Sequence, residues 1–122
     1  IDAQLVSGDG KTIYAHKSFS LTKEMQEFGY EFKMINNGDT ASRLIFNLGG
    51  NNNDVFIDDV SLYKGIDYSQ IDVYPLKNGD FSNGLFSWKS YSIEGAAAST
   101  TVVDGEAKVS INTVGAQTYG VM

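Results

Sequence analysis

The sequence predicts an all-β protein, specifically a jelly-roll sandwich of two antiparallel sheets. Apolar and polar residues alternate with a period of two over several short runs, as they do in half-buried strands. Asn, Gly and Asp separate these runs and favour tight turns. The seven Tyr and seven Phe, together with Val, Ile and Thr, favour strands over helices. Many short strands joined by frequent turns are typical of a sandwich.

The clearest predicted strand covers residues 28–35, where aromatic side chains and Met alternate with small or charged ones. A turn at 36–39 leads to a second predicted strand over 42–48, and we expect the two strands to form a hairpin. A third predicted strand covers 55–63. The remaining predicted strands are shorter or less regular and cover 3–6, 12–21, 86–93, 100–103, 106–112 and 116–121.

Composition excludes several classes of function. The chain has 9 Lys+Arg against 15 Asp+Glu, a formal net charge of -6, which argues against nucleic acid or an anionic membrane as partner. No apolar run approaches the roughly 20 residues that a membrane-spanning helix needs. The absence of cysteine excludes disulfides, Cys-based zinc sites and thiol nucleophiles.

The sequence does not indicate catalysis, and we expect a non-catalytic protein. His16 is the only histidine, and no nucleophile elbow lies near it. Asp58 and Asp59 would point to opposite faces of a strand, so they could not form a glycosidase pair. Phosphate loops and metalloprotease motifs are also missing.

Two motifs resemble segments of carbohydrate-binding modules of the family 4, 16 and 22 type. The first runs from Asn78-Gly79-Asp80-Phe81 to Trp88, and the second combines residues 46–49 with the Ile-Asp-Asp-Val-Ser-Leu run at 57–62. Residues 102–109 resemble the second hairpin of the family. The order is reversed, because the motif that closes such modules comes before the one that opens them.

Residues 1–64 therefore resemble the C-terminal part of a module, and residues 77–122 resemble the N-terminal part. Residues 65–76, which contain the only proline, form a linker or a crossover between them. The resemblance implies either one circularly permuted module or the junction of two tandem modules. A strand or two of the family pattern is missing where Met122 would continue into Ile1. The sheet edge left open could allow strand exchange between two copies of the chain.

The resemblance implies that the chain binds a polysaccharide of the β-glucan or xylan type. It would target a linked extracellular glycoside hydrolase to its substrate. Flat aromatic rings cover the apolar faces of sugars, while amide and guanidinium groups bond their hydroxyls. Arg43 and Asn47 lie on the polar side of their predicted strand. Tyr14 and Tyr91 resemble stacking positions, whereas we expect Trp88 to pack under its turn. The predicted carbohydrate-binding residues are Tyr14, Arg43, Asn47, Tyr91, Gln117 and Tyr119.

The resemblance also implies a structural calcium that joins the region of Asp80 to Asp58. Calcium takes six to eight oxygen ligands, mainly from carboxylates and carbonyls. The alternative is that these carboxylates only cap or solvate a strand end. An alternative also stands for the whole chain, which could be a structural spacer or adhesion module without a ligand, because fold does not imply function.

Overall fold

The computed structural model describes residues 1–34, 39–64, 72–74 and 76–122. The strands in this part of the chain pair antiparallel, which confirms the predicted all-β class with two antiparallel sheets. The jelly-roll connectivity stays a prediction. The strands are β1 (Asp2–Val6), β2 (Ile13–Ser18), β3 (Arg43–Asn47), β4 (Val55–Ile57), β5 (Leu62–Lys64), β6 (Asp72–Tyr74), β7 (Ala97–Val103) and β8 (Glu106–Thr113), and a 3₁₀ helix covers Thr118–Gly120.

The first sheet has the order β2-β1-β3, and backbone hydrogen bonds extend it beyond β3. The Leu48 amide donates to the Val121 carbonyl over 2.8 Å. Tyr91 and Met122 exchange two backbone bonds of 2.8 and 3.0 Å. Residues 120–122 therefore follow β3, and residues 91–93 follow them. We call this arrangement the extended sheet.

The second sheet has the order β4-β8-β7 and is centred on a regular hairpin. Asp104 and Gly105 connect β7 to β8 with φ angles of 52° and 88°. Positive φ at both central residues is the conformation that a type I′ two-residue hairpin turn requires, and Asp-Gly adopts it readily. Along β8 every second residue is buried, so the hairpin presents one side of the sheet to the core.

One hydrophobic cluster joins the two sheets. Its buried members are Leu48, Val55, Val109, Ile111 and Val121. Leu48 and Val55 belong to the part of the chain before residue 65, and the other three belong to the part after residue 76. Neither part could bury these side chains alone, so the two parts share a core.

The segments that carry the family resemblance contact each other in the structure. The Trp88 ring stacks on Phe46 with centroids 6.4 Å apart and lies 5.2 Å from the Phe81 ring. Its Nε1–H donates to the Asn78 carbonyl over 2.8 Å, which satisfies the polar edge of a half-buried indole. The Asn78 side chain in turn donates to the carbonyls of Gly84 and Phe86. Trp88 thus packs against its own turn, as we expected.

Gly79 brings the opening turn against the chain that follows β4. The Val60 amide donates to the Gly79 carbonyl over 2.9 Å. A Cβ atom on Gly79 would collide with the Val60 carbonyl oxygen. Only glycine therefore allows this approach of two backbones.

The predicted strand over 28–35 is wrong for the described residues 28–34, which belong to no strand. The expected partner, β3, pairs with β1 on one side, and Leu48 beyond it bonds Val121 on the other. The aromatic rings pack around Phe19 instead, with Phe28 at 4.9 Å and Tyr30 at 6.1 Å. Ile35 and residues 36–38 of the predicted turn lie outside the described residues.

Three other predicted elements differ from the structure. The predicted strand 55–63 is split into β4 and β5, because Asp59 adopts a φ of 49° that an extended chain does not allow. The predicted strands 86–93 and 116–121 are reduced to an isolated bridge between Ser92 and Val121 with a few backbone bonds beside it. The predicted linker contains β6, which pairs with β5, while residues 65–71 and 75 lie outside the described residues.

Replacement of Gly79 by alanine should destabilise the protein by about 3 kcal/mol, because the added methyl overpacks the contact with Val60 and disturbs its hydrogen bond. Urea unfolding measures this change. Gly29→Ala is the matched control, since a Cβ there meets nothing within 4 Å. Equal stability of the two variants would contradict the role of the Gly79 contact.

Candidate functional site

The side of the extended sheet that faces away from the core carries most of the predicted binding residues. Leu48 and Val121 point into the core, so the residues next to them, Asn47 and Met122, point away from it. Tyr91 lies opposite Met122 and shares that direction. We call this side the outer face. Strand register places on it Asp2, Gln4, His16, Arg43 and Asn47, and the bonds with Met122 add Tyr91.

At one end of the outer face, Tyr14 and Arg43 converge on Gly8. Tyr14 lies at a bulge of β2, and its hydroxyl donates to Asp39 Oδ2 over 2.8 Å. The same carboxylate oxygen accepts from the Gly8 amide over 3.1 Å, and the Arg43 guanidinium donates to the Gly8 carbonyl over 3.1 Å. These bonds fix both side chains against the turn that follows β1.

Asp39 was missed by the sequence analysis. The hydrogen bond from the Tyr14 hydroxyl, followed by the one from the Gly8 amide, holds the pKa of the Asp39 carboxyl below its usual value. Asp39 closes the predicted turn at 36–39, and only the tertiary fold brings it to Tyr14. No local sequence signal could have identified the pair.

At the other end of the outer face, polar side chains form a row across three strands. Ser18, Asp2 and Asn47 lie side by side in the register of β2, β1 and β3. Ser18 Oγ donates to Asp2 Oδ1 over 2.6 Å, and His16 Nε2 lies 3.6 Å from the same oxygen. The pKa of the Asp2 carboxyl is lowered, first by Ser18 and then by His16.

Asn47 is not the solvent-facing side chain that the sequence predicted. It is only 8% exposed. Because the Leu48–Val121 bond brings residues 120–122 beside the end of β3, Asn47 does not lie at a free sheet edge. Tyr91, on the outermost segment of the extended sheet, is 53% exposed and leaves much of its ring open to solvent.

Gln117 and Tyr119 are exposed but do not share a strand face as predicted. The Gly49 amide donates to the Thr118 carbonyl, and the Gly120 amide donates back to the Gln117 carbonyl. These bonds wind the chain into the 3₁₀ helix at Thr118–Gly120, where residues two apart do not point the same way. Both residues therefore lie beside the end of β3, with diverging side chains.

The two ends of the outer face lie diagonally across the extended sheet. Four residues along β3 separate Arg43 from Asn47, which corresponds to about 13 Å. Four strand spacings separate β2, which carries Tyr14, from the segment of Tyr91, or roughly 19 Å. A diagonal of this length is longer than a single small molecule.

Of the two predicted calcium residues, only Asp80 lines the depression beside the opening turn. An open depression of about 460 Å³ is lined by Asp59 and Asp80, but not by Asp58. Asp58 Oδ1 accepts from the Asp59 amide, and Asp80 Oδ1 accepts from the amide and hydroxyl of Ser82. Within the described ranges, no three His, Cys, Asp or Glu residues are grouped to hold a metal. Calcium stays a prediction.

Comparison with known proteins adds no relative. No family model, curated protein or solved structure matches the chain. In the part of the chain that the structure describes, no helix has the length and apolarity to span a membrane.

Replacement of Tyr14 by phenylalanine should raise the pKa of Asp39 toward its ordinary value, because the hydroxyl that stabilises the carboxylate is lost. Carbon-detected NMR titration of the carboxyl groups measures the shift. The stability that this bond contributes is present above the ordinary pKa and disappears as the pH falls through the lowered value. The pKa of Asp54, which is lowered by Lys108, is the internal control. An unchanged Asp39 titration would contradict the pairing.

Proposed function

We propose that the chain is a non-catalytic carbohydrate-binding module that holds one polysaccharide chain of the β-glucan or xylan type on its outer face. This binding would hold a linked extracellular glycoside hydrolase close to its substrate. The observation that carries the proposal is that one side of one sheet presents Tyr91, the Asp2 row and the Tyr14–Arg43 end together.

The Tyr91 end supplies an exposed aromatic ring, and hydrogen-bonding groups follow across the outer face. The exposed Tyr91 can cover the apolar face of a sugar ring. Farther across the outer face, Asp2 on β1 and His16 on β2 can accept from or donate to the hydroxyls of other sugar units of the same polysaccharide chain. The buried Asn47 has little surface left for a ligand, so its contribution is confined to the floor of this end.

The Tyr14 end supplies a ring and a cation that are already positioned. The Tyr14 hydroxyl is held by Asp39, and the Arg43 guanidinium is held by Gly8. Side chains that are ordered before binding lose less conformational entropy when the ligand arrives. Gln117 and Tyr119 are also exposed and lie beside the end of β3, at the border of the outer face. They could contact a longer polysaccharide chain.

Binding of this kind is weak, and its role is to keep the polysaccharide near a tethered catalytic domain. We expect a free energy of about -4 to -8 kcal/mol, which corresponds to a dissociation constant between millimolar and micromolar. A weak anchor is sufficient because it raises the effective concentration of substrate near a tethered catalytic domain.

Tyr91→Ala and Tyr14→Ala should each weaken binding to a soluble β-glucan or xylan about three- to tenfold, since a stacked ring contributes roughly 0.5–1.5 kcal/mol. Affinity electrophoresis in polysaccharide gels and titration calorimetry measure the effect. Tyr63→Ala is the matched control, because Tyr63 is 58% exposed but lies on β5, away from the outer face.

Unretarded migration of the wild-type chain in every polysaccharide gel would favour the structural spacer instead. Hydrolysis of the polysaccharide by the purified chain would refute the non-catalytic assignment. Retardation that Tyr63→Ala abolishes, but Tyr91→Ala does not, would place the ligand elsewhere on the molecule.

We propose further that calcium binds structurally between the Asp80 turn and Asp58-Asp59. Millimolar calcium should then raise the melting temperature of the wild-type chain, and chelation should reverse the shift. Asp80→Asn keeps the oxygen that accepts from Ser82 but removes the charge, so it should abolish the response. Glu24→Gln, on an exposed residue remote from this turn in sequence, is the control. An identical melting temperature with calcium and with chelator would overturn the proposal.

A further inference from the structure

A second depression lies beside the first residues of β3, at the Tyr14 end of the outer face. Its volume of about 290 Å³ is at the lower end of the roughly 300–1,000 Å³ that small-molecule sites occupy. It therefore has room for a single sugar unit rather than for a length of polysaccharide. Two leucines line it together with the polar or aromatic residues Ser42, Arg43, Lys77, Ser87 and Trp88.

The lining of this depression carries two positive charges and no negative one. Arg43 and Lys77 contribute to it, whereas no Asp or Glu does. In the part of the chain that the structure describes, neither cation belongs to an ion pair. The Arg43 guanidinium donates to the Gly8 carbonyl, which leaves further N–H groups for a ligand. Unpaired cations in a chain with a net charge of -6 favour an anionic ligand at this place.

Asp39 also contacts Gly8, but it does not bind the guanidinium. Its carboxylate oxygens accept from the amides of Gly8 and Ala41 and from the Tyr14 hydroxyl. Asp39 therefore reduces the local positive charge without occupying the donors of Arg43.

The indole of Trp88 gives the depression a fixed aromatic wall, because the ring packs on Phe46 and Phe81. An aromatic ring can contact the apolar C–H face of a sugar, and the Ser42 and Ser87 hydroxyls can bond its hydroxyls. Inorganic sulfate or phosphate has no apolar face to place against the indole. An aromatic wall beside serine hydroxyls and two cations instead matches a sugar that carries a carboxylate, which is a uronic acid.

Arg43 belongs both to this depression and to the Tyr14 end of the outer face, so a side group of a polysaccharide on that face can reach the depression. Of the two polysaccharide types named above, xylan is the one whose main chain carries uronic acid side groups. We propose that the ligand is an acidic xylan whose glucuronic acid side group binds in this depression, an inference that rests on the proposed function. The carboxylate accepts charge-assisted hydrogen bonds from Lys77 and Arg43, and the sugar ring lies against Trp88.

The first test compares glucuronoxylan with the same polysaccharide after its carboxyl groups have been reduced to alcohols. The wild-type chain should bind the acidic form about three- to tenfold more tightly, because charge-assisted hydrogen bonds are stronger than neutral ones. Titration calorimetry at low salt measures both affinities, and their ratio should fall as added salt screens the charges.

Lys77→Gln should bring the ratio of the two affinities close to one. Lys77 is exposed, so the variant should remain folded, which circular dichroism verifies. Lys17→Gln is the matched control, because it removes the same charge from an exposed residue of β2 outside the lining, and it should keep the wild-type ratio. An equal loss of preference in both variants would indicate general attraction to a polyanion and would overturn the proposal.

Trp88 is the only tryptophan of the chain and therefore reports on the depression directly. Its indole N–H, which is held by the Asn78 carbonyl, gives a single NMR signal. A xylooligosaccharide with one glucuronic acid side group should shift this signal in the wild-type chain, and its carboxyl-reduced form should shift it much less. In Lys77→Gln the two oligosaccharides should give equally small shifts.

The outcomes separate this inference from the proposed function. Equal binding of the acidic and the reduced xylan, with no shift of the Trp88 signal, would refute the uronic acid site and leave the binding module in place. Failure of both xylans and of β-glucan to bind would refute the module, and the site with it.

Discussion

The hydrogen bond from the Leu48 amide to the Val121 carbonyl joins the two parts of the chain, and the candidate site depends on it. This bond places residues 120–122 beside β3, and these residues in turn hold the segment of Tyr91. Val121 is 1% exposed and packs with Leu48 in the shared core, so burial of apolar surface supports the same alignment. Without this pairing the outer face would end at β3, and Tyr91 would belong to no surface in common with Arg43.

The elements that could be predicted from the sequence are those whose signals are local. The β7–β8 hairpin follows from alternation around an Asp-Gly turn, and β3 follows from alternation alone. The packing of Trp88 against its turn was expected from the resemblance, and the turn residues it contacts lie nearby in the sequence. Residues 28–34 have equally strong alternation, yet a strand needs a partner, and no local pattern states whether one is present. The break at Asp59 is compatible with its residue type, because Asp tolerates positive φ better than most residues, but the alternation around it gave no sign of the break.

The residues of the candidate site were also predictable only where the signal is local. Alternation correctly placed Arg43 and Asn47 on one side of β3, but the depth of Asn47 depends on strands that arrive from distant residues. Gln117 and Tyr119 were assigned to a strand that the Gly49 contact converts into a 3₁₀ helix. The role of Asp39 could be recognised only from the structure, in which the fold brings it to Tyr14. Residue type and periodicity thus identify which side chains face outward, while burial and partners require the three-dimensional structure.

The positive φ angles at Asp104 and Gly105 have a consequence for the order of folding. A hairpin closed by a two-residue turn brings its strands together over a short loop, which forms on a timescale of about 1–10 μs. Leu48 and Val121 must instead close a loop that spans much of the chain, and such closure is entropically slower. We expect β7 and β8 to assemble first and to offer Val109 and Ile111 as the surface on which the distant strands later dock. The rate-limiting step of folding would then be the joining of the two chain halves.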